Sequence, residues 1–151
     1  MSPLLARARR HVDDRLADLA RQLAALDGAQ AGETKSSAGD KFETSRELLQ
    51  QERDRLGAQL AVMREHRLRL EVAARTASGE AAGLGSTVTL ATGERYLLAT
   101  GLGRVGEGFV VSLESPLGQA LAGARAGERV GFRGRELVVV GVAGAEREND
   151  R

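Results

Sequence analysis

Two stretches with apolar residues at helical spacing, separated by a polar break, constrain this chain more than any other feature. In the first, from about Ser2 to Gln30, Leu5, Val12, Leu16, Leu19, Leu23 and Leu26 follow one another at heptad-like intervals among Arg, Asp and Gln. Pro3 suits a first helical turn, where its missing N–H costs nothing. In the second, from about Asp40 to Thr76, Phe42, Leu49, Leu56, Leu60, Met63 and Leu70 recur mostly at sevens, with only Gly57 weakening the helix. Roughly 35 helical residues extend about 50 Å. The intervening Gly32 to Glu47, G-E-T-K-S-S-A-G-D-K-F-E-T-S-R-E, replaces the apolar pattern with Gly, Ser, Thr and charge. Two stripes of matched length with a short polar connection predict an antiparallel coiled-coil hairpin over residues 1–77, its tip at about 32–47. Stripes this narrow leave most of both helices in solvent. Charged residues at an exposed tip have no packing role, so function is sought there first.

Residues 78–84, S-G-E-A-A-G-L, read as a linker. From Gly85 the period becomes that of strands. Residues 86–90 and 95–100 form a hairpin about the turn 91–94, and 101–108 is a glycine-broken loop. Residues 109–112 are a third strand, and 115–121 a short helix with Ser115 as N-cap and Pro116 at its first position. Residues 127–132 and 136–142 complete five strands, with a tight turn at Gly134, and 145–151 is a polar, frayed tail. The fold class is α+β: a helical hairpin, then a small antiparallel sheet domain over 85–144.

Composition removes several function classes. The 151 residues include 22 basic and 21 acidic side chains, so no strong basic field exists to drive non-specific DNA binding. Aromatics are 3 % and Trp is absent, which argues against large aromatic-lined pockets and base-stacking platforms. With no cysteine there is no disulfide, thiolate metal site or cysteine nucleophile. No apolar run approaches the ~20 residues of a membrane span, and the N-terminus is amphipathic rather than signal-like. A cytoplasmic protein with no membrane partner is expected.

At the tip, Asp40 followed by Glu43 has the form of a capping box at the start of the second helix. Lys35, Lys41 and Arg46 are possible contacts to RNA or to acidic groups, and Glu33 is a third acidic candidate. All four also fit ordinary solvated charges. His11 and His66 lie on separate helix segments, with no metal-spaced cluster around either. Gly101-x-Gly103-x-x-Gly106 matches a dinucleotide pattern only formally, since no long helix follows.

The second half carries a resemblance. G-S-T-V-T-L, Y-L-L, then V-S-L-E-S-P-L-G-Q-A-L-A-G-A-R-A-G-E-R-V and a final V-V-V-G-V are similar to the C-terminal domain of the bacterial GreA/GreB transcript cleavage factors, a domain like FK506-binding proteins in fold. Its most specific piece is Ser115-Pro116-Leu117-Gly118. The order of parts also agrees. The resemblance implies a protein that is no enzyme alone. It would dock on bacterial RNA polymerase, with Ser115, Pro116, Leu117 and Gly118 as candidate docking residues, and pass its coiled coil down the secondary channel. The family's tip motif, G-D-x-x-E-N-A-E-Y, is matched by Gly39-Asp40-Lys41-Phe42-Glu43 and then departs as Thr44-Ser45-Arg46-Glu47. Asp40 and Glu43 take the positions of carboxylates directed at the polymerase's Mg²⁺, where hard oxygen ligands assist two-metal hydrolysis. Phe42, Lys41, Arg46, Glu33 and Lys35 are possible tip contacts, including indirect contact with nascent RNA. No cofactor is bound by the chain alone, and no small-molecule substrate is implied. The alternatives are a non-cleaving channel regulator, or a coiled-coil interaction module whose sheet domain is a scaffold. Prolyl isomerase activity is a weaker third reading, with Tyr96, Phe109 and Phe132 the only aromatics after Gly85.

Overall fold

The computed structural model describes residues 2–33, 39–76 and 79–145, without the side chains of 29–33 and 39–42. Helix α1 spans Pro3–Glu33 and α2 spans Gly39–Arg75. The strands are β1 (Thr87–Leu90), β2 (Arg95–Leu98), β3 (Gly103–Val105), β4 (Gly108–Val111), β5 (Arg129–Phe132) and β6 (Arg135–Ala143), with α3 (Pro116–Leu121) between β4 and β5. The α+β class and the helix-then-sheet order are as the residue pattern predicts. Two compact units result, one of residues 1–11 with 66–151 and one of 12–65, so the division crosses both long helices.

In the unit of 12–65, α1 and α2 run antiparallel. Arg15 donates to Gln59 at 2.6 Å, and Arg53 pairs with Asp27 at 2.6 Å. The seam is thin: Val12, Leu19 and Leu56 are buried, whereas Leu16, Leu23, Leu26, Leu49 and Leu60 are only half-buried. The first helix runs on past the expected Gln30 to Glu33, and the second begins at Gly39, one residue before the expected Asp40. Residues 32, 33 and 39–47 are helical, because Lys, Glu and Arg are good helix formers and no proline intervenes.

In the other unit the six strands form one sheet in the order β3-β4-β2-β1-β6-β5. Two features depart from the sequence reading. The strand β3 sits inside the expected loop 101–108 and pairs with β4 across a two-residue turn, Gly106-Glu107, whose Gly106 φ of 60° puts the positive φ where a type II′ turn needs it. β2 and β4 are parallel, so the sheet is not purely antiparallel. Three residues bounded by glycines give too little alternation to register as a strand.

One core collects Val88, Leu90, Leu98, Leu121, Ala124 and Val139, with Ala82 added from the stretch expected to be a linker. That stretch is tied down: Ala82 N–H donates to Ala124 C=O and Gly123 N–H to Ala82 C=O, both at 2.8 Å. The helix ends pack here too. Leu4, Leu5, Ala8, Leu70 and Ala73 are buried, Leu4 against Gly108 and the Ala73 carbonyl against Gly85. Ser2 is fully buried, and its hydroxyl accepts from Leu5 N–H at 3.1 Å, capping α1. Arg9 pairs with Glu71 at 2.7 Å, and His66 Nδ1 meets Thr100 Oγ1 at 2.7 Å. Ala145, placed by sequence in the frayed tail, is buried, and 146–151 lie outside the described residues.

The described aromatic rings of the sheet unit fall into two places. Tyr96 stacks on Phe109 with centroids 5.1 Å apart, and Phe132 carries the Arg133 guanidinium over its ring. Burial first, then a hydrogen bond to Glu94, pushes the Tyr96 phenol above its ordinary value near 10. A raised folded-state value means this contribution to stability is complete below the unfolded pKa and is lost as pH rises through the folded one. Tyr96→Phe is therefore expected to flatten the alkaline fall in stability above pH ~10, as read by urea melts across that range.

Candidate functional site

Two regions collect the residues singled out above. The first is the start of α2. The helix already includes Gly39, so Asp40 lies within its first turn and is not the residue that precedes it, as a capping box would need. Positions 40 and 43 are three apart on this helix and share one face. Glu43 and Arg46 are exposed. The side chains of Glu33, Asp40, Lys41 and Phe42, and Lys35 altogether, lie outside the described residues. Among the described residues, no group of three His, Cys, Asp or Glu could hold a metal ion.

The second is the opening of α3. Ser115 is its N-cap, with extended backbone, accepting from Gly118 N–H at 3.0 Å, and Pro116 stands in the first turn. The Ser115 hydroxyl also donates to the Ser112 carbonyl at 2.7 Å. Gly118 is buried where a Cβ would overlap that same carbonyl oxygen. Ser115 and Gly118 are thus spent on building the turn. Glu114 and Pro116 are exposed and Leu117 is half-buried.

Beside this turn lies a largely apolar groove of about 250 Å³, lined by Leu68, Val72, Leu84, Ala99 and Leu113. At its rim Arg69 faces Glu114 at 3.6 Å. Leu68 is 59 % and Val72 49 % exposed, unusual for large aliphatic residues on a helix whose seam is elsewhere. Sequence reasoning passed over these groove residues. The available signal was that Leu68 and Val72 fall outside the run of sevens through Leu49, Leu56, Met63 and Leu70.

The fold and these two regions define a class: a long-helix pair followed by a small mixed sheet, with a carboxylate pair at one helix start and an apolar groove beside a capped turn. No family model matches the chain, and no curated protein matches it significantly. Among solved structures, the transcription factor Gfh1 is 25 % identical, covering 91 % of this chain and 94 % of its own, with a TM-score of 0.37. The GreA factor homolog 1 (Gfh1) protein of Thermus thermophilus is likewise 25 % identical, covering 90 % and 94 %, with a TM-score of 0.36. Superpositions this loose carry no argument for a shared arrangement. No helix among the described residues is long and apolar enough to cross a membrane.

Proposed function

We propose that this chain is a Gre-type transcription elongation factor of the cytoplasm that binds bacterial RNA polymerase and reaches into its secondary channel. It has no chemistry of its own in this reading. Any transcript hydrolysis occurs at the polymerase's Mg²⁺, to which Asp40 and Glu43 add oxygen ligands near the nascent RNA. The observation that carries the reading is the segment Ser115-Pro116-Leu117-Gly118. It is the most specific part of the resemblance, and it opens α3 beside an exposed apolar groove suited to a protein partner. The resemblance and the order of parts support the rest.

One observation favours the non-cleaving variant of this function. Arg46 is an exposed cation three residues beyond Glu43, on the same helical face, where it opposes the gathering of a second cation. The experiment is a backtracked polymerase complex to which the protein is added, with transcript shortening and binding followed together. Cleavage that drops at least about tenfold in Asp40→Ala and Glu43→Ala, a barrier change near 1.4 kcal/mol, with binding retained, supports delivery of ligands to the metal. Binding that slows elongation without cleavage supports the occluding regulator. Absence of measurable affinity for polymerase sinks both. Thermal melts of the two variants separate lost activity from a loosened helix start.

A further inference from the structure

A cavity of about 240 Å³ in the sheet-containing unit belongs to neither region described above. It is lined by Leu4 and Arg7 of α1, Gly93 of the β1–β2 turn, Arg95 of β2, Glu107 of the β3–β4 turn and Gly108 of β4. The parallel pairing of Tyr96 with Phe109 sets Arg95 beside Gly108, and Leu4 packed on Gly108 holds the first turns of α1 against the same corner. Three separate elements therefore bring two guanidinium groups and one carboxylate to one hollow. Among the described residues, Arg7 and Arg95 make no hydrogen bond or ion pair, and neither does Glu107. Arg7 does rest against Gly106, its Cδ and Nη1 each 3.6 Å from where a Cβ there would lie.

With two guanidinium groups against one carboxylate the hollow carries a net positive charge, which a bound anion offsets. The guanidinium fork matches phosphate oxygens in pairs. Gly93 adds no side chain and has nothing within 4 Å of an added Cβ, so a ligand can approach its backbone closely. Glu107 limits what can enter. Ionised, it only accepts hydrogen bonds: it repels any phosphate alike, but it can accept a hydrogen bond from a ligand hydroxyl. Arg7, Arg95 and Glu107 are all exposed, so the hollow is open, and a phosphate with its first carbons can lie within its volume of about 240 Å³ while the rest of a sugar extends into solvent. We propose that Arg7, Arg95 and Glu107 form a binding site for a phosphomonoester bearing nearby hydroxyls, the phosphoribosyl group of a sugar phosphate or a nucleotide. Arg7 and Arg95 hold the phosphate, and Glu107 accepts from a sugar hydroxyl. This site stands independently of the polymerase reading.

The test is calorimetric titration of the whole protein with inorganic phosphate, ribose 5-phosphate and AMP. Saturable binding is expected for the two esters, both tighter than for inorganic phosphate. Arg7→Gln and Arg95→Gln should each weaken ester binding about tenfold or more, the loss of one charge-assisted contact. Glu107→Ala should abolish the preference for ribose 5-phosphate over inorganic phosphate while leaving phosphate bound at least as well. Equal affinity for AMP and ribose 5-phosphate assigns the site to the phosphoribosyl group, and much tighter AMP assigns it to nucleotides. Arg133→Gln, on an exposed turn outside the cavity, should change nothing. The proposal fails if no probe binds saturably at millimolar concentration, or if the Arg133 variant weakens binding as much as the Arg7 and Arg95 variants do. All four substitutions are at exposed side chains, so thermal melts should match the parent and keep the comparison valid.

Discussion

Gly118→Ala is expected to destabilise the protein by about 3 kcal/mol or more, lowering its melting temperature by roughly 6–12 °C. A Cβ at this position would overlap the Ser112 carbonyl oxygen and lie 2.9 Å from the carbonyl carbon and 3.0 Å from Leu113 Cα. All three neighbours are backbone, so no side chain can swing aside. The Ser112 carbonyl is also the acceptor for the Ser115 hydroxyl, and Gly118 N–H is the donor that Ser115 caps. Any shift that relieves the overlap therefore loosens the cap as well. Gly57→Ala gives the opposite control. Gly57 lies within α2 with nothing within 4 Å of its added Cβ, so alanine should stabilise by about 0.5–1 kcal/mol through helix propensity alone. Both are read by thermal and urea melts. A Gly118→Ala protein that melts with the parent would show that the Ser112–Gly118 turn is not this tight.

Leu4→Ala should cost about 2–5 kcal/mol, whereas Leu26→Ala should cost about 1 kcal/mol or less. Position within its helix suggests the reverse, since Leu4 lies in the first turn of α1 and helix ends fray. Leu4 is 2 % exposed and closes on Gly108, and its removal leaves a void that the surrounding sheet cannot fill. Leu26 belongs to the heptad seam but is only half-buried, so truncation removes little from an interior. Urea unfolding of the two variants under one condition checks the order. Equal losses would mean that the start of α1 packs no more firmly than the middle of the helix pair.

The parts of the molecule that sequence predicted well are those set by local period and local turn chemistry. Residues at threes, fours and sevens produced α1 and α2 within a few positions, and alternating residues produced β1, β2, β4, β5 and β6. Ser115 and Pro116 marked the start of α3 because a hydroxyl cap and a proline without its N–H both serve a helix's first turn. The candidate site was half legible. The carboxylate spacing at 40 and 43 and the Ser115–Gly118 turn were visible as residue types. The groove was not, because Leu68 and Val72 fall outside the run of sevens and Leu84, Ala99 and Leu113 come from separate segments.

The amino-acid pattern by itself determined the α+β class, the order of helices and strands, and where the polar break lies, since each depends on neighbours within a turn or two of chain. Only the tertiary structure decided which ends of those elements meet. It set Leu4 on Gly108, tied Ala82 to Ala124, put β3 beside β4 and made β2 and β4 parallel. It also gathered Arg7, Arg95 and Glu107, residues with nothing in common along the chain, around one cavity. Contacts between distant segments depend on strand order and close approach of backbones. A period of two or seven carries no information about either.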